Sequence, residues 1–237
     1  MEIETLYESP DLLAVAKPAG AACIDHERGA PSPFVAALRE RWPELASVGE
    51  GPRPAGQVHR LDTGTSGVLL LAKTAAAYEK FRGLFSSPGG ISKEYTALVA
   101  GSVDGPFELA WDIGGRSRRS PRVHVVRESK EGKRLRWTLP ARTRFSPLRA
   151  GARASLVQAV IETGARHQIR AHAASAGHPV IGDDLYGGAA PPAGCAPRLY
   201  LHAGALELPG EGGAGRLRIE CPMPACFLEC WETLEKA

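Results

Sequence analysis

The sequence predicts an α+β fold in which a mixed, largely antiparallel sheet is flanked by helices. Segments with strand character outnumber those with helical periodicity, and the two do not alternate in the regular βαβ order of a doubly wound fold. With 237 residues, 43% of them hydrophobic, the chain carries enough apolar material for a sizeable core. That length suits one large domain or two small ones, and a single domain over residues 1–237 is expected.

Residues 11–16, DLLAVA, read as a buried strand closed by the turn Lys17-Pro18-Ala19-Gly20. Ser32-Pro33 then supplies an N-cap and a first-turn proline for a helix carrying Phe34, Leu38 and Trp42, stopped by Pro43. A Gly/Pro loop over 47–57 delivers the chain to His59, Arg60 and Asp62, after which Gly67 to Lys73 form a strand rich in Val and Leu. Thr74 is placed to cap a helix with Tyr78, Phe81 and Phe85 on one face, ended by Ser86-Ser87-Pro88-Gly89-Gly90. The strand KEYTALV follows at 93–99. Leu135, Trp137 and Leu139 alternate with Arg134, Arg136 and Thr138, the pattern of a half-buried strand with a cationic outer face. Strands are also expected over 155–162, 199–208 and 216–220, a helix from near His167 to Gly177 and Pro179, and a last helix over 224–235.

No apolar run reaches the roughly 18 residues of a membrane span, and the start MEIETLYESPDL lacks the basic and apolar regions of a secretory signal, so a cytoplasmic protein is expected. Cys23, Cys195, Cys221, Cys226 and Cys230 are odd in number and without paired spacing, which argues against a disulfide framework. The net charge of +3 is unevenly spread: Arg116 to Arg153 holds 13 basic against 2 acidic side chains, so the remainder is acidic. This basic arm, at about 114–153, contains Trp137 and Phe145 and has the composition of a surface that tracks phosphates. Nucleic acid is the partner it implies.

The stretch VHRLDTGTSGVLLLAKT, 58–74, places a carboxylate between a loop and a strand. An Arg-x-Asp is by itself an ordinary loop ion pair. Here Asp62 is followed by Thr63-Gly64-Thr65-Ser66-Gly67, a small hydroxyl-rich turn that leaves the carboxylate accessible. A second stretch, 161–188, gathers Arg166, His167, Arg170, His172 and His178 about a helix start. Alone it reads as a solvated basic face; without HExxH, and with arginines that repel a cation, no metal is expected. Residues 210–215 match G-x-G-x-x-G, but a strand follows instead of a helix, so a hairpin loop is expected. Cys221, Cys226 and Cys230, spaced C-x4-C-x3-C, read as buried thiols.

Three stretches together resemble the RluA family of RNA pseudouridine synthases. HRLDTGTSG at 59–67 is similar to the family's HRLDxxTSG, KEYTALVAG at 93–101 to its KxYxALVxG, and TGARHQIRAH at 163–172 to its TGRxHQIRxH. VAKPAG at 15–20, ARTRF at 141–145, HPVIGDDLYG at 178–187 and RLYLHAGAL at 198–206 occur in family order, so the resemblance covers nearly the whole chain. One motif departs: Ala165 stands at the arginine position and Arg166 follows it, leaving Arg166 to reach an RNA phosphate from another angle. The S4 module of many relatives is not expected, so target selection is expected to rest on the catalytic domain and its arm.

The resemblance implies a pseudouridine synthase fold with a central active-site cleft, conversion of uridine to pseudouridine in rRNA or tRNA, and no cofactor. The reaction breaks C1′–N1, turns the uracil and joins C5 to C1′ without redox change. By the same resemblance Asp62 is the nucleophile, either forming a covalent intermediate or promoting loss of the base and taking a sugar proton. Arg170 pairs with Asp62 and favours its ionised form. Tyr95 stacks on the uracil and removes the C5 proton, which for a phenol of pKa about 10 requires nearby positive charge. Leu201 lies against the other face of the base, and Arg60 fills the gap left by the flipped nucleotide. His59, Arg166, His167 and Gln168 complete the expected substrate contacts. A non-catalytic RNA-binding or chaperone protein of the same fold is the alternative. A glycosidic hydrolase would need a second carboxylate or a metal that the motifs do not show. A monomer is expected.

Overall fold

The computed structural model describes residues 1–24, 32–49, 55–87, 89–117, 120–132, 134–210 and 215–236. In chain order the strands are β1 (Thr5–Glu8), β2 (Leu12–Lys17), β3 (Ser66–Ala72), β4 (Ser92–Ala100), β5 (Phe107–Leu109), β6 (Asp112–Gly115), β7 (His124–Val126), β8 (Trp137–Leu139), β9 (Thr143–Arg149), β10 (Ala154–Ile161), β11 (Leu201–Pro209) and β12 (Arg216–Glu220). The helices are α1 (Pro33–Arg41), α2 (Ala75–Ser86), α3 (Ser129–Gly132), α4 (Gln168–Ser175) and α5 (Cys226–Lys236), with a 3-10 turn at Pro43–Ser47. The strands pair largely antiparallel, and the fold is α+β. The chain divides into two compact units, Met1–Ser92 with Ala203–Pro222, and Lys93–His202 with Met223–Ala237.

In the first unit β2 lies between β1 and β3, antiparallel to both, with Leu12 opposite Ala72 and Lys17 opposite Gly67. A strand flanked on two sides and covered on two faces needs apolar residues throughout, and Leu12 to Val15 are all buried. Leu12, Ala14, Val68 and Leu70 meet Tyr78 and Phe81 of α2 and Leu206, Leu208 and Ile219 of the β11–β12 hairpin. Each large side chain buried there contributes about 1.5–3 kcal/mol. Thr74 caps α2 as expected, its Oγ1 accepting the Ala77 N–H at 3.3 Å. Ser32 does not cap α1 with its side chain; its buried hydroxyl donates to the Ala22 carbonyl at 2.7 Å. The chain turns back from Pro209 to Arg216, which are paired, so the glycine run leads from strand to strand; its residues 211–214 lie outside the described residues. Residues 50–54 of the expected 47–57 loop, and Pro88 at the end of α2, also lie outside them.

The second unit is built on β4, β10, β9 and β5, with Tyr95 opposite Ala159 and Ala159 opposite Phe145. Pro147 made β9 hard to anticipate, since proline cannot donate to a ladder. The register shift opposite Leu156 and Val157 accommodates it. Helix α5 buries Phe227 and Cys230 in this unit's core and is tied to the start of β10: Glu235 accepts the N–H groups of Ala152, Arg153 and Ala154 at 2.8–2.9 Å.

A small sheet ordered β7-β6-β8 belongs to the basic arm and covers Ile113, Val123, Ala141, Ala171 and Tyr186. The expected strand around Leu135 to Leu139 is only three residues long, and Leu139 is 50% exposed. Leu135 sits in a turn, its N–H bonded to the Gly132 carbonyl, and Pro140 closes β8 before Leu139 reaches the core. None of the five cysteines forms a disulfide. Cys221 lies in the first unit and Cys226 and Cys230 in the second, and burial raises the pKa of Cys221 and Cys230 to about 11, so both thiols stay protonated at neutral pH.

Candidate active site

Asp62 stands half-buried in a turn of the first unit, between buried Leu61 and buried Thr65. The turn closes on itself through the Thr65 N–H donating to the Asp62 carbonyl at 3.0 Å. It is also anchored from below. Lys17, at the end of β2 and only 1% exposed, donates from Nζ to the carbonyls of Pro18 at 2.9 Å, Ala21 at 2.7 Å and Thr63 at 3.2 Å. One ammonium thereby joins the Lys-Pro-Ala-Gly turn to the residue after Asp62, and the Gly20 N–H reinforces the join by donating to the same Thr63 carbonyl. Cys23 Sγ donates to the Leu61 carbonyl at 3.4 Å. Immediately beyond the turn, Gly67 has φ +118 and faces Ala203 so closely that a β-carbon would overlap its backbone. Glycine is therefore required where the Asp62 turn enters β3.

His59 is turned to structural use. Its ring stacks on Phe85 with centroids 4.3 Å apart, and its Nε2 accepts the Leu70 N–H at 2.9 Å. Arg60 is exposed on the same loop.

The second unit carries Tyr95, Arg166, His167, Gln168, Arg170 and Leu201. Tyr95 is half-buried on β4, on the same face as Lys93 two residues earlier. Lys93 is 4% exposed and donates from Nζ to the carbonyls of Glu162 at 3.1 Å and Thr163 at 3.4 Å. Burial lowers its pKa to about 8, opposed by the Glu162 charge. Leu201 is buried at the start of β11.

Gln168 locks the loop before α4. Its carbonyl oxygen accepts from Thr163 Oγ1 at 2.9 Å and the Ala165 N–H at 3.1 Å, and its amide nitrogen donates to the Arg142 carbonyl at 2.9 Å and Thr143 Oγ1 at 3.1 Å. The chain of bonds continues from Thr143 Oγ1 to His172 Nδ1, and from His172 Nε2–H to the Trp111 carbonyl, both 2.9 Å. Burial lowers the His172 pKa, so the ring is neutral in this role. His167 adopts φ 55 at the helix start and shares a 3.0 Å hydrogen bond from Nδ1 to the Tyr186 hydroxyl. At the position where the family pattern has arginine, Ala165 packs into the apolar cluster of Tyr186, while Arg166 donates from Nη2 to the Ser120 carbonyl of the basic arm.

Arg170 projects from the first turn of α4 with its side chain 11% exposed. Its Nε and Nη2 donate to the two carboxylate oxygens of Asp183, each at 2.7 Å, and its guanidinium lies 5.3 Å from the Tyr186 ring centre. Lys17, Lys93, Asp183 and Tyr186 were not singled out from the sequence, although they lie inside stretches that were. A lysine at the end of an apolar strand, or an aspartate within an apolar loop, is the signal that marks them.

The basic arm is less cationic in space than in sequence. Arg142 and Arg144 pair with Glu108 at 3.0 Å, and Arg144 also with Glu162 at 3.3 Å; both acids come from outside the segment. Arg116, Arg122, Arg127, Arg134, Arg136, Arg149 and Arg153 are exposed, while Arg118, Arg119 and Lys133 lie outside the described residues. Among the described residues no three His, Cys, Asp or Glu side chains could hold a metal ion, and no helix is long and apolar enough to cross a membrane.

A family model for RNA pseudouridylate synthase matches residues 11–175. Ribosomal large subunit pseudouridine synthase D of Nitrosomonas europaea is 34% identical over 229 residues, which are 94% of this chain and 62% of that protein. Ribosomal large subunit pseudouridine synthase C of Escherichia coli is 35% identical over 246 residues, covering 98% of this chain and 70% of that one. Among solved structures, human RNA pseudouridylate synthase domain containing 1 aligns with a TM-score of 0.71 at 25% identity over 95% of this chain and 87% of its own. Human RNA pseudouridylate synthase domain containing 4 shares the fold, with a TM-score of 0.73 at 23% identity over 98% of this chain and 92% of its own. With its motifs, the family model and these relatives in agreement, the chain belongs to the RluA-type RNA pseudouridylate synthase family.

Proposed function

We propose that this protein is an RNA pseudouridine synthase that isomerises one or more uridines of ribosomal RNA, with Asp62 as the catalytic carboxylate and Tyr95 and Arg170 as its partners in the reaction. The observation that carries the reading is the Asp62 turn, held by a buried lysine whose ammonium donates to three backbone carbonyls around it. A carboxylate on an anchored turn is oriented before substrate arrives, which lowers the barrier by removing motion that the reaction would otherwise have to freeze.

The chemistry needs a carboxylate at C1′ and a base for the C5 proton. The C1′–N1 bond breaks, N1 takes a proton, C5 joins C1′ and loses its proton, so nothing is consumed beyond the uridine itself. Tyr95 supplies the base in this assignment, and Arg170 the positive charge. The loop locked by Gln168 holds Arg166 and His167, and through them this part of the chain binds RNA. Arg60 occupies the stack when the nucleotide is extruded, at a cost of a few kcal/mol that contacts from the exposed arginines of the arm offset. Ribosomal RNA is favoured over tRNA by the names of the relatives. The protein acts as a single catalytic domain, as a monomer, in the cytoplasm.

Nuclease digestion and nucleoside analysis of large-subunit rRNA and tRNA transcripts after incubation with the protein test this. Pseudouridine at discrete rRNA positions, with no free uracil, is expected. Free uracil would identify a hydrolase, and pseudouridine confined to tRNA would overturn the substrate assignment.

A further inference from the structure

We infer that Asp183 is a positioning residue for the isomerisation, acting through Arg170; the inference rests on the catalytic role proposed for that arginine. Asp183 is 1% exposed, and its carboxylate receives four hydrogen bonds. Two come from the Arg170 fork at 2.7 Å, and two from the N–H groups of Leu185 at 3.1 Å and Tyr186 at 3.2 Å, both onto Oδ1. The backbone pair means that the acceptor is fixed by its own loop and not by the arginine it holds.

That loop is itself tightly specified. The Asp183 N–H donates to the Val180 carbonyl at 3.1 Å, and the Asp183 carbonyl accepts from Gly188 at 2.8 Å. Gly182, at φ +77, lies so close to the Arg198 carbonyl that any side chain would collide with it. The Arg170 guanidinium is thereby defined by two planes at once, the carboxylate that takes its Nε and Nη2 edge and the Tyr186 ring beneath it. With that edge committed, the direction of Nη1 follows from the scaffold. A guanidinium left to find its own rotamer would lose the oriented charge that the reaction uses, and a misplacement on the order of 1 Å in such a group costs about 100-fold in rate.

All four acceptor contacts also set Asp183 apart from a water-activating base. Its oxygens are occupied by donors, so it does not supply the second carboxylate of a hydrolase.

The test is steady-state tritium release from RNA labelled at uracil C5, with the full chain and its Asp183→Asn, Arg170→Lys and doubly substituted variants. Asp183→Asn keeps the shape but turns an amide N–H toward the arginine's donors. A kcat lowered roughly 10- to 100-fold with KM for RNA within about threefold is expected. In the Arg170→Lys background the same change should cost less than about threefold, because the fork it orients is gone. A kcat within twofold of wild type, or losses that multiply in the double variant, would overturn the inference, since a purely structural role affects both backgrounds alike. If Asp183→Asn melts below the assay temperature, Asp183→Glu takes its place, with a lowered kcat expected at unchanged melting temperature and full kcat contradicting the inference. Absence of release from the wild type would instead remove the catalytic reading on which it rests.

Discussion

At the scale of single residues, the site depends on charges placed where charges are costly. Lys17 is the clearest case, a buried ammonium that donates to three backbone carbonyls around the Asp62 turn. Replacing it by methionine keeps much of the volume but removes those three hydrogen bonds, and hydrogen bonds to a charged group contribute about 1.5–3 kcal/mol each at most. Because the three share one donor group, Lys17→Met should destabilise the protein by about 3 kcal/mol in urea unfolding and lower kcat through a loosened turn. Stability within 0.5 kcal/mol of wild type, roughly the scatter of surface substitutions, would contradict the anchoring role. His59 and Gln168 show the limit of reading residues one at a time. Their identities were legible in the motifs, but the atoms they present inward were not: Nε2 of His59 accepts the Leu70 N–H, and the Gln168 amide takes its own loop at the carbonyl end and Arg142 and Thr143 at the nitrogen end.

At the scale of elements, Lys93 couples β4 to the loop before α4 and makes that junction sensitive to pH. Its folded-state pKa of about 8 lies below the unfolded value of 10.5, so between these limits the unfolded chain holds more protons and stability rises with pH. The wild type should therefore gain stability relative to Lys93→Met as pH increases from 8 to 10.5, and keep a constant difference below 8. Urea titrations at pH 7, 8, 9 and 10 measure this, and a flat difference across the series would show that the ammonium is not held as described. Elements with strong apolar character were legible in the sequence: β2, β3, β4, β10, β11 and both long helices α2 and α5 fall within a few residues of their expected bounds. Those missed owe their form to partners far along the chain. β5 is three residues paired to β9, β9 contains Pro147, and β6 is held between β7 and β8 of the small sheet. The cationic strand expected around Trp137 was shortened by the same dependence, since its ladder to β6 involves only Trp137, Thr138 and Leu139.

At the scale of the whole molecule, the sequence segregates its charge, with the basic segment at 116–153 set against an acidic remainder. Folding moderates that contrast by bringing Glu108 and Glu162 to Arg142 and Arg144, and it leaves a set of exposed arginines on the arm. The motifs that defined the family resemblance are distributed over both units: HRLDTGTSG in the first, and KEYTALVAG with TGARHQIRAH in the second. Each motif is held by a buried polar residue of its own unit, Lys17 for the first, and Lys93, Gln168 and Asp183 for the others. Such residues are invisible to hydrophobic periodicity, which is why the site's residues were more legible than its supports.

In the proposed reaction Asp62 carries the isomerisation. The most direct measurement is tritium release from large-subunit rRNA labelled at uracil C5, comparing wild type with Asp62→Asn at matched RNA affinity. Release by the wild type and a rate at least about 1000-fold lower for the variant are expected, the order of loss seen when a reacting carboxylate is removed. Release by Asp62→Asn at the wild-type rate would contradict it.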